Sequence, residues 1–101
     1  MDVTYVLHEI TFTWDEAKAR VSLRKHRVAF EVACEVFFDP FIQVVEQYEK
    51  DGELRQAAMG MTTALQLVFV AFVLRTQDIR LISARKPTTS ERKRYEAGET
   101  P

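Results

Sequence analysis

The eight residues from Leu67 to Leu74, Leu-Val-Phe-Val-Ala-Phe-Val-Leu, constrain this chain more than any other segment. They are uniformly apolar and rich in β-branched and aromatic side chains, which favours a strand. No polar residue alternates with them, so the strand needs cover on both faces and belongs in the middle of a sheet. Counted from Ala64, the run still falls far short of the roughly 20 residues that a membrane-spanning helix requires. Val68, Val70 and Phe72 should all be buried.

The remaining segments supply neighbours and layers for that strand. Ile10 to Trp14 alternate with threonines and read as a short strand, with Trp14 pointing into the core. Asp15 can cap a helix running to about His26, with Ala19, Val21 and Leu23 as its apolar contacts. Phe30, Ala33, Cys34 and Phe37 are spaced as the stripe of a second amphipathic helix, which Asp39-Pro40 ends. Phe41 to Gln47 read as a strand, Tyr48 to Glu53 as a turn centred on Asp51-Gly52, and Leu54 to Met61 as the returning strand. Thr76-Gln77-Asp78 turns the chain into a last strand, Ile79 to Arg85, and Thr88 with Glu91 forms a capping box for a final helix. Residues 1–9 carry weak pattern and read as a loose N-terminal extension to a domain covering 10–97. The order β-α-α-β-β-β-β-α predicts one small α+β domain. Its sheet is mostly antiparallel with four to five strands, two N-terminal helices and one C-terminal helix.

A chain of 101 residues has room for one core, and a net charge of −1 does not make a generally basic protein. The distribution of charge says more. Seven of the 14 Lys and Arg lie between Arg75 and Arg94, where the only acids are Asp78 and Glu91. Lys18, Arg20, Arg24, Lys25 and Arg27 form a second, acid-free cluster, whereas Val28 to Glu53 holds seven acids against Lys50. One basic and one acidic face are expected. The single cysteine, Cys34, allows no internal disulfide and reads as a small core hydrophobe; with two scattered histidines it makes no zinc site. The first residues lack the features of a secretory signal, so cytoplasm is the expected location. With no ligand cluster in the chain, no metal or cofactor is expected.

Chemistry is most densely written in residues 82–95, Ile-Ser-Ala-Arg-Lys-Pro-Thr-Thr-Ser-Glu-Arg-Lys-Arg-Tyr. Here a buried strand delivers Arg85 and Lys86 to a corner, and a short helix adds Arg92, Lys93, Arg94 and Tyr95. Cations held at the end of a rigid strand suit an anionic ligand, above all a phosphate backbone.

Trp14-Asp15-Glu16-Ala17-Lys18, Leu23-Arg24-Lys25-His26 and Val28-Ala29-Phe30-Glu31-Val32-Ala33 resemble the opening signature of the BrnT toxins. Phe37-Phe38-Asp39-Pro40 follows in the expected place. Arg80 to Lys86 with Glu91-Arg92 and Tyr95 resemble that family's closing signature, while Arg55 and Gly60 fit its weaker middle. The resemblance spans residues 10–96. It implies a RelE-like ribonuclease of a type II toxin–antitoxin system, acting on RNA. It also implies neutralisation by a cognate ribbon-helix-helix, BrnA-like antitoxin in a heterotetramer. The chain departs from the pattern at Arg27, where glycine is usual, at Ser22 in place of asparagine, at Pro87 in place of alanine, and in its first eight residues.

Under that resemblance, metal-independent cleavage needs a proton taken from the 2′-hydroxyl, a stabilised phosphorane and a proton given to the leaving 5′-oxygen. Arg85, with fixed charge and forked donors, is the candidate for the phosphorane; its alternative is an ion pair at the strand edge. His26 is the candidate proton carrier, or a helix C-cap, and Lys25 a phosphate ligand or a solvated charge. Lys86 is expected to grip an adjacent phosphate, and Lys25, His26, Arg85 and Lys86 to converge on one group. Arg75 and Arg80 line the basic face or are strand-end charges. Tyr95 stacks on a base or packs the last helix onto the sheet. His8 is expected in solvent.

Overall fold

The computed structural model describes residues 1–98. Its strands are β1 (Asp2–Leu7), β2 (Ile10–Asp15), β3 (Gln43–Lys50), β4 (Glu53–Met61), β5 (Leu67–Leu74) and β6 (Ile79–Arg85). Its helices are α1 (Glu16–His26), α2 (Phe30–Ala33) and α3 (Thr89–Glu96). The strands form one six-stranded sheet in the order β1-β2-β6-β5-β4-β3. Pairing is antiparallel throughout except between β2 and β6, which run parallel over Phe12–Ile79 and Thr13–Arg80.

β5 is central and covered on both sides, as its composition demands. Val68, Val70 and Phe72 meet Phe12, Trp14, Phe30, Ala33, Cys34 and Val36 on the face covered by α1 and α2. Leu67 and Phe69 meet Ala57 and Met59 on the opposite face, where Tyr95 of α3 closes over them. Each large side chain buried this way contributes roughly 1.5–3 kcal/mol. The strand begins at Leu67 rather than Ala64, because Thr62 to Gln66 form a turn with Leu65 left-handed at φ 60°.

Residues 1–9 are not a loose extension. Val3, Tyr5 and Leu7 pack against the core while Thr4 and Val6 face outward, and β1 pairs with β2 along its whole length. The connecting turn hides itself in sequence, since His8 (φ 48°) and Glu9 (φ 69°) take left-handed positions usually filled by glycine or asparagine. The sheet therefore has six strands rather than four to five, and the order opens β-β-α. The second helix is also shorter than its stripe suggests. α2 is a single α-turn that tightens into a 3₁₀ turn over Cys34–Phe38, and this buries Val36 as well as Phe30, Ala33 and Cys34. Tyr48 to Lys50 extend β3, leaving Asp51-Gly52 alone as the turn.

α1 has its expected N-cap, with Asp15 accepting from the Lys18 N–H at 3.0 Å. Its inner side differs from expectation. Val21 and Leu23 are 58% and 44% exposed, and Ser22 is the buried residue, donating to the Ala84 carbonyl at 3.2 Å. β6 outruns its partner β2 after Arg80, so α1 packs against a strand edge and a short polar side chain serves there better than leucine. Arg27 closes the helix in the left-handed conformation (φ 62°, ψ 25°), where a Cβ costs on the order of 1 kcal/mol.

Candidate functional site

β6 carries a bulge: Ala71 faces Ser83 and Phe72 faces Leu81, so Ile82 is the extra residue. There the outer edge of β6 and one side of α1, from its first turn to its last, enclose a groove of about 390 Å³. Ala17, Lys18, Val21, Ser22, Lys25, His26, Ile82 and Ser83 line it. Arg24, Lys25 and His26 stand in the last turn of α1, where positive charge complements the free carbonyls. Among the described residues, the side chains of Lys18, Lys25, His26 and Ser83 have no hydrogen-bond or ion-pair partner.

Arg85 lies two residues beyond Ser83 on the same face of β6, roughly 7 Å along the strand. Its guanidinium is held from three directions. It donates to both carboxylate oxygens of Glu91 at 2.8 and 3.0 Å, to the Lys86 carbonyl at 3.1 Å, and lies 4.0 Å over the Phe69 ring. Hydrogen bonding to Glu91, stronger than the opposing effect of burial, raises the Arg85 pKa and lowers that of Glu91. The capping box legible in the sequence thus serves two ends, because Glu91 receives the Thr88 N–H at 2.8 Å and orients Arg85 with the same carboxylate. The ion pair foreseen as Arg85's alternative is present, yet its side chain keeps 34% of its exposure.

Lys86 lines a second, adjacent cavity with Val28, Arg92 and Leu65 to Val68. The four expected site residues therefore do not share one pocket. Lys25 and His26 share the α1–β6 groove, Lys86 occupies the neighbouring corner, and Arg85 stands over Phe69 on the opposite sheet face, the one that α3 covers. Lys86, Arg92, Arg24 and Arg27 also lack ion-pair partners among the described residues.

Arg75 and Arg80 are differently placed. Arg75 chelates Asp78, whose carboxyl is pulled down to about 2 chiefly by that hydrogen bond, with help from the Thr13 hydroxyl. Arg80 grips Asp2 of β1 at 3.0 and 3.1 Å. Tyr95 packs α3 onto the sheet and donates its phenol to Asp39, and burial together with this bond pushes its pKa up to about 12. Burial pulls the Asp39 carboxyl upward, but Tyr95 and the N–H groups of Phe41 and Met61 outweigh it and hold it low. His8 is exposed, edge-on to Phe38. Arg55 is the cation that sequence reasoning left without a role. It pairs with Val73 and so joins the face bearing Arg80 and Arg85, with its Nε buried and unpartnered. Only the register across three strands brings it there.

No curated protein matches this chain. Among solved structures, the ribonuclease toxin BrnT of Brucella abortus, known from a crystal at 1.1 Å resolution, superposes with a TM-score of 0.50 and 21% identity. The match covers 75% of this chain and 94% of that one, a likeness of fold. Residues 14–91 match the family described as the ribonuclease toxin BrnT of type II toxin–antitoxin systems. That span runs from Trp14 through α1 and the sheet to Glu91, the partner of Arg85, and the chain belongs to the BrnT family of ribonuclease toxins.

Proposed function

We propose that this chain is a RelE-like, metal-independent endoribonuclease that cuts RNA at the outer edge of β6. The observation that carries this reading is the placement of unpartnered Lys25 and His26 in a groove that reaches Ser83, one strand repeat from the fixed guanidinium of Arg85. A phosphate at that edge meets Arg85 from the sheet and Lys25 from the helix. His26 exchanges protons with the 2′-hydroxyl or the 5′-oxygen, and Lys86 holds the next phosphate along the strand. The 2′-oxygen attacks phosphorus, Arg85 stabilises the charge that develops on the phosphorane, and the 5′-oxygen leaves with a proton. Arg75 and Arg80, already engaged by Asp78 and Asp2, fall outside this RNA contact, and Tyr95 acts by packing.

The family places such a chain in a pair with an antitoxin. We assign it a ribbon-helix-helix, BrnA-like partner in a cytoplasmic heterotetramer; light scattering of the co-expressed pair should give the mass of two copies of each. A second reading, a non-catalytic nucleic-acid or co-repressor module, is favoured by the two hydrogen bonds with which Glu91 already occupies Arg85.

Single-stranded RNA offered to the purified chain in excess chelator separates the two. Cleavage should proceed, and Arg85→Ala should reduce it about 10²-fold or more, the scale of losing one transition-state donor. Arg85→Lys should recover part of the loss, lacking the planar fork. RNA bound but left whole supports the adaptor. Activity lost to chelator and restored by a divalent ion rejects the metal-free scheme.

A further inference from the structure

The α1–β6 groove contains more than phosphate binding uses. Its floor is apolar, made by Ala17, Val21 and Ile82, and Val21 stays 58% exposed. Its rim is cationic at Lys18 and Lys25, and no acid lines it. Ser83 lines it at the bulge, and its hydroxyl has no partner among the described residues. A bare phosphate has no use for an apolar floor. A nucleobase has a flat apolar face, a hydrogen-bonding edge, and phosphates on either side.

We propose that the groove between α1 and β6 seats one unpaired nucleobase of the RNA substrate, beside the phosphate held by Arg85. The inference rests on the ribonuclease reading and assigns its base subsite. Ala17, Val21 and Ile82 lie against the base, with Ile82 set out of the ladder by the bulge. Ser83, able to donate or accept, reads the base edge, and Lys18 reaches a base carbonyl or the next phosphate. The volume of about 390 Å³ lies within the range of small-ligand sites and admits one nucleotide but no duplex. A base stacked in a helix cannot enter, so single strands are the substrate.

The test titrates the isotopically labelled chain with each of the four nucleoside 3′-monophosphates and, separately, with inorganic phosphate. Nucleotides should shift the amides of Val21, Ile82 and Ser83 with affinities that differ among the bases, while phosphate alone should leave Val21 and Ile82 unmoved. Val21→Glu and Val21→Trp, which charge or fill the floor, should each weaken nucleotide binding and raise KM for single-stranded RNA about tenfold, the scale of one lost stacked base. Identical shifts with phosphate alone, or unchanged nucleotide affinity in both variants, overturns the subsite. Groove binding without RNA cleavage keeps the subsite and removes the nuclease reading, whereas cleavage with a silent groove removes the subsite alone.

Discussion

Arg75, just past the end of β5, and Arg80 and Arg85 of β6 each hold a carboxylate, supplied by Asp78, Asp2 and Glu91. Lys25, Arg27 and Lys86, on the helix end and corner beside them, hold none among the described residues. In the linear sequence the two sets look alike, as basic residues with few acids nearby. Folding separates them, because Asp2 reaches Arg80 only through the β1–β2 hairpin and Glu91 reaches Arg85 only through the turn into α3. The first set fixes the architecture, and the second keeps its charge available to an anion. Arg85 is anchored by Glu91 on one side and part-exposed on the other, the arrangement that the proposed phosphate contact requires.

The largest expected effect comes from removing an anchor. Glu91→Ala deletes half of the capping box and leaves a partly buried guanidinium without its carboxylate, so the chain should lose about 2 kcal/mol of stability. Chemical denaturation measures it. A loss below about 0.5 kcal/mol would mean that the Arg85–Glu91 pair does not anchor the corner, and the contrast between the two sets would fail there.

The free cations should behave in the opposite way. Lys25→Ala and Lys86→Ala should leave the melting temperature within error, weaken RNA binding severalfold at low salt, and each lower the salt-dependence slope by about one. Arg80→Ala should do the reverse, lowering the melting temperature by freeing Asp2 and β1 while leaving the slope unchanged. Equal slopes for Arg80→Ala and Lys86→Ala would show that the sheet arginines bind RNA after all.

Much of this molecule was legible before folding was considered, for identifiable reasons. β6, the Asp15 cap and the Thr88–Glu91 box are local patterns that appear where the residues place them, and β5 does so from Leu67 onward. What stayed hidden depends on distant partners or on backbone that breaks local preference. β1 is hidden in the sequence because His8 and Glu9 make a hairpin turn without a turn residue. Asp39 reads as a helix stop, yet it gathers Phe41, Met61 and Tyr95 from three parts of the chain. Lys25, His26 and Arg85 could be nominated from the chain, but their distribution over a groove and a face follows from register and bulge.

Acid should distinguish the two sets again, less strongly. The Asp78 carboxyl sits at about 2 in the folded chain, chiefly because Arg75 donates to it. A carboxyl depressed in the folded state contributes stability that is complete above its unfolded value and is lost as pH falls through the folded one. Thermal midpoints should therefore decline between about pH 5 and pH 2, and Asp78→Asn should flatten that decline. Glu91, held low mainly by Arg85, acts in the same direction, so the double change should flatten it further. A decline unaltered by either change would place the acid sensitivity outside the arginine pairs.

The smallest effect is expected at Arg27, and it probes the free set directly. The residue is left-handed at φ 62°, a conformation that costs a side chain with a Cβ about 1 kcal/mol and costs glycine almost nothing. Glycine adds freedom to the unfolded chain, which offsets part of the gain, so Arg27→Gly should stabilise the protein by a few tenths of a kcal/mol to about 1 kcal/mol. The same change removes a cation next to Val28, at the cavity shared with Lys86 and Arg92, and should lower the salt slope of RNA binding by about one. Higher stability with weaker binding is the signature of a charge kept for a ligand at the expense of backbone comfort. Lower stability would show instead that the Arg27 side chain makes an internal contact stronger than the strain, and would move it into the company of Arg80.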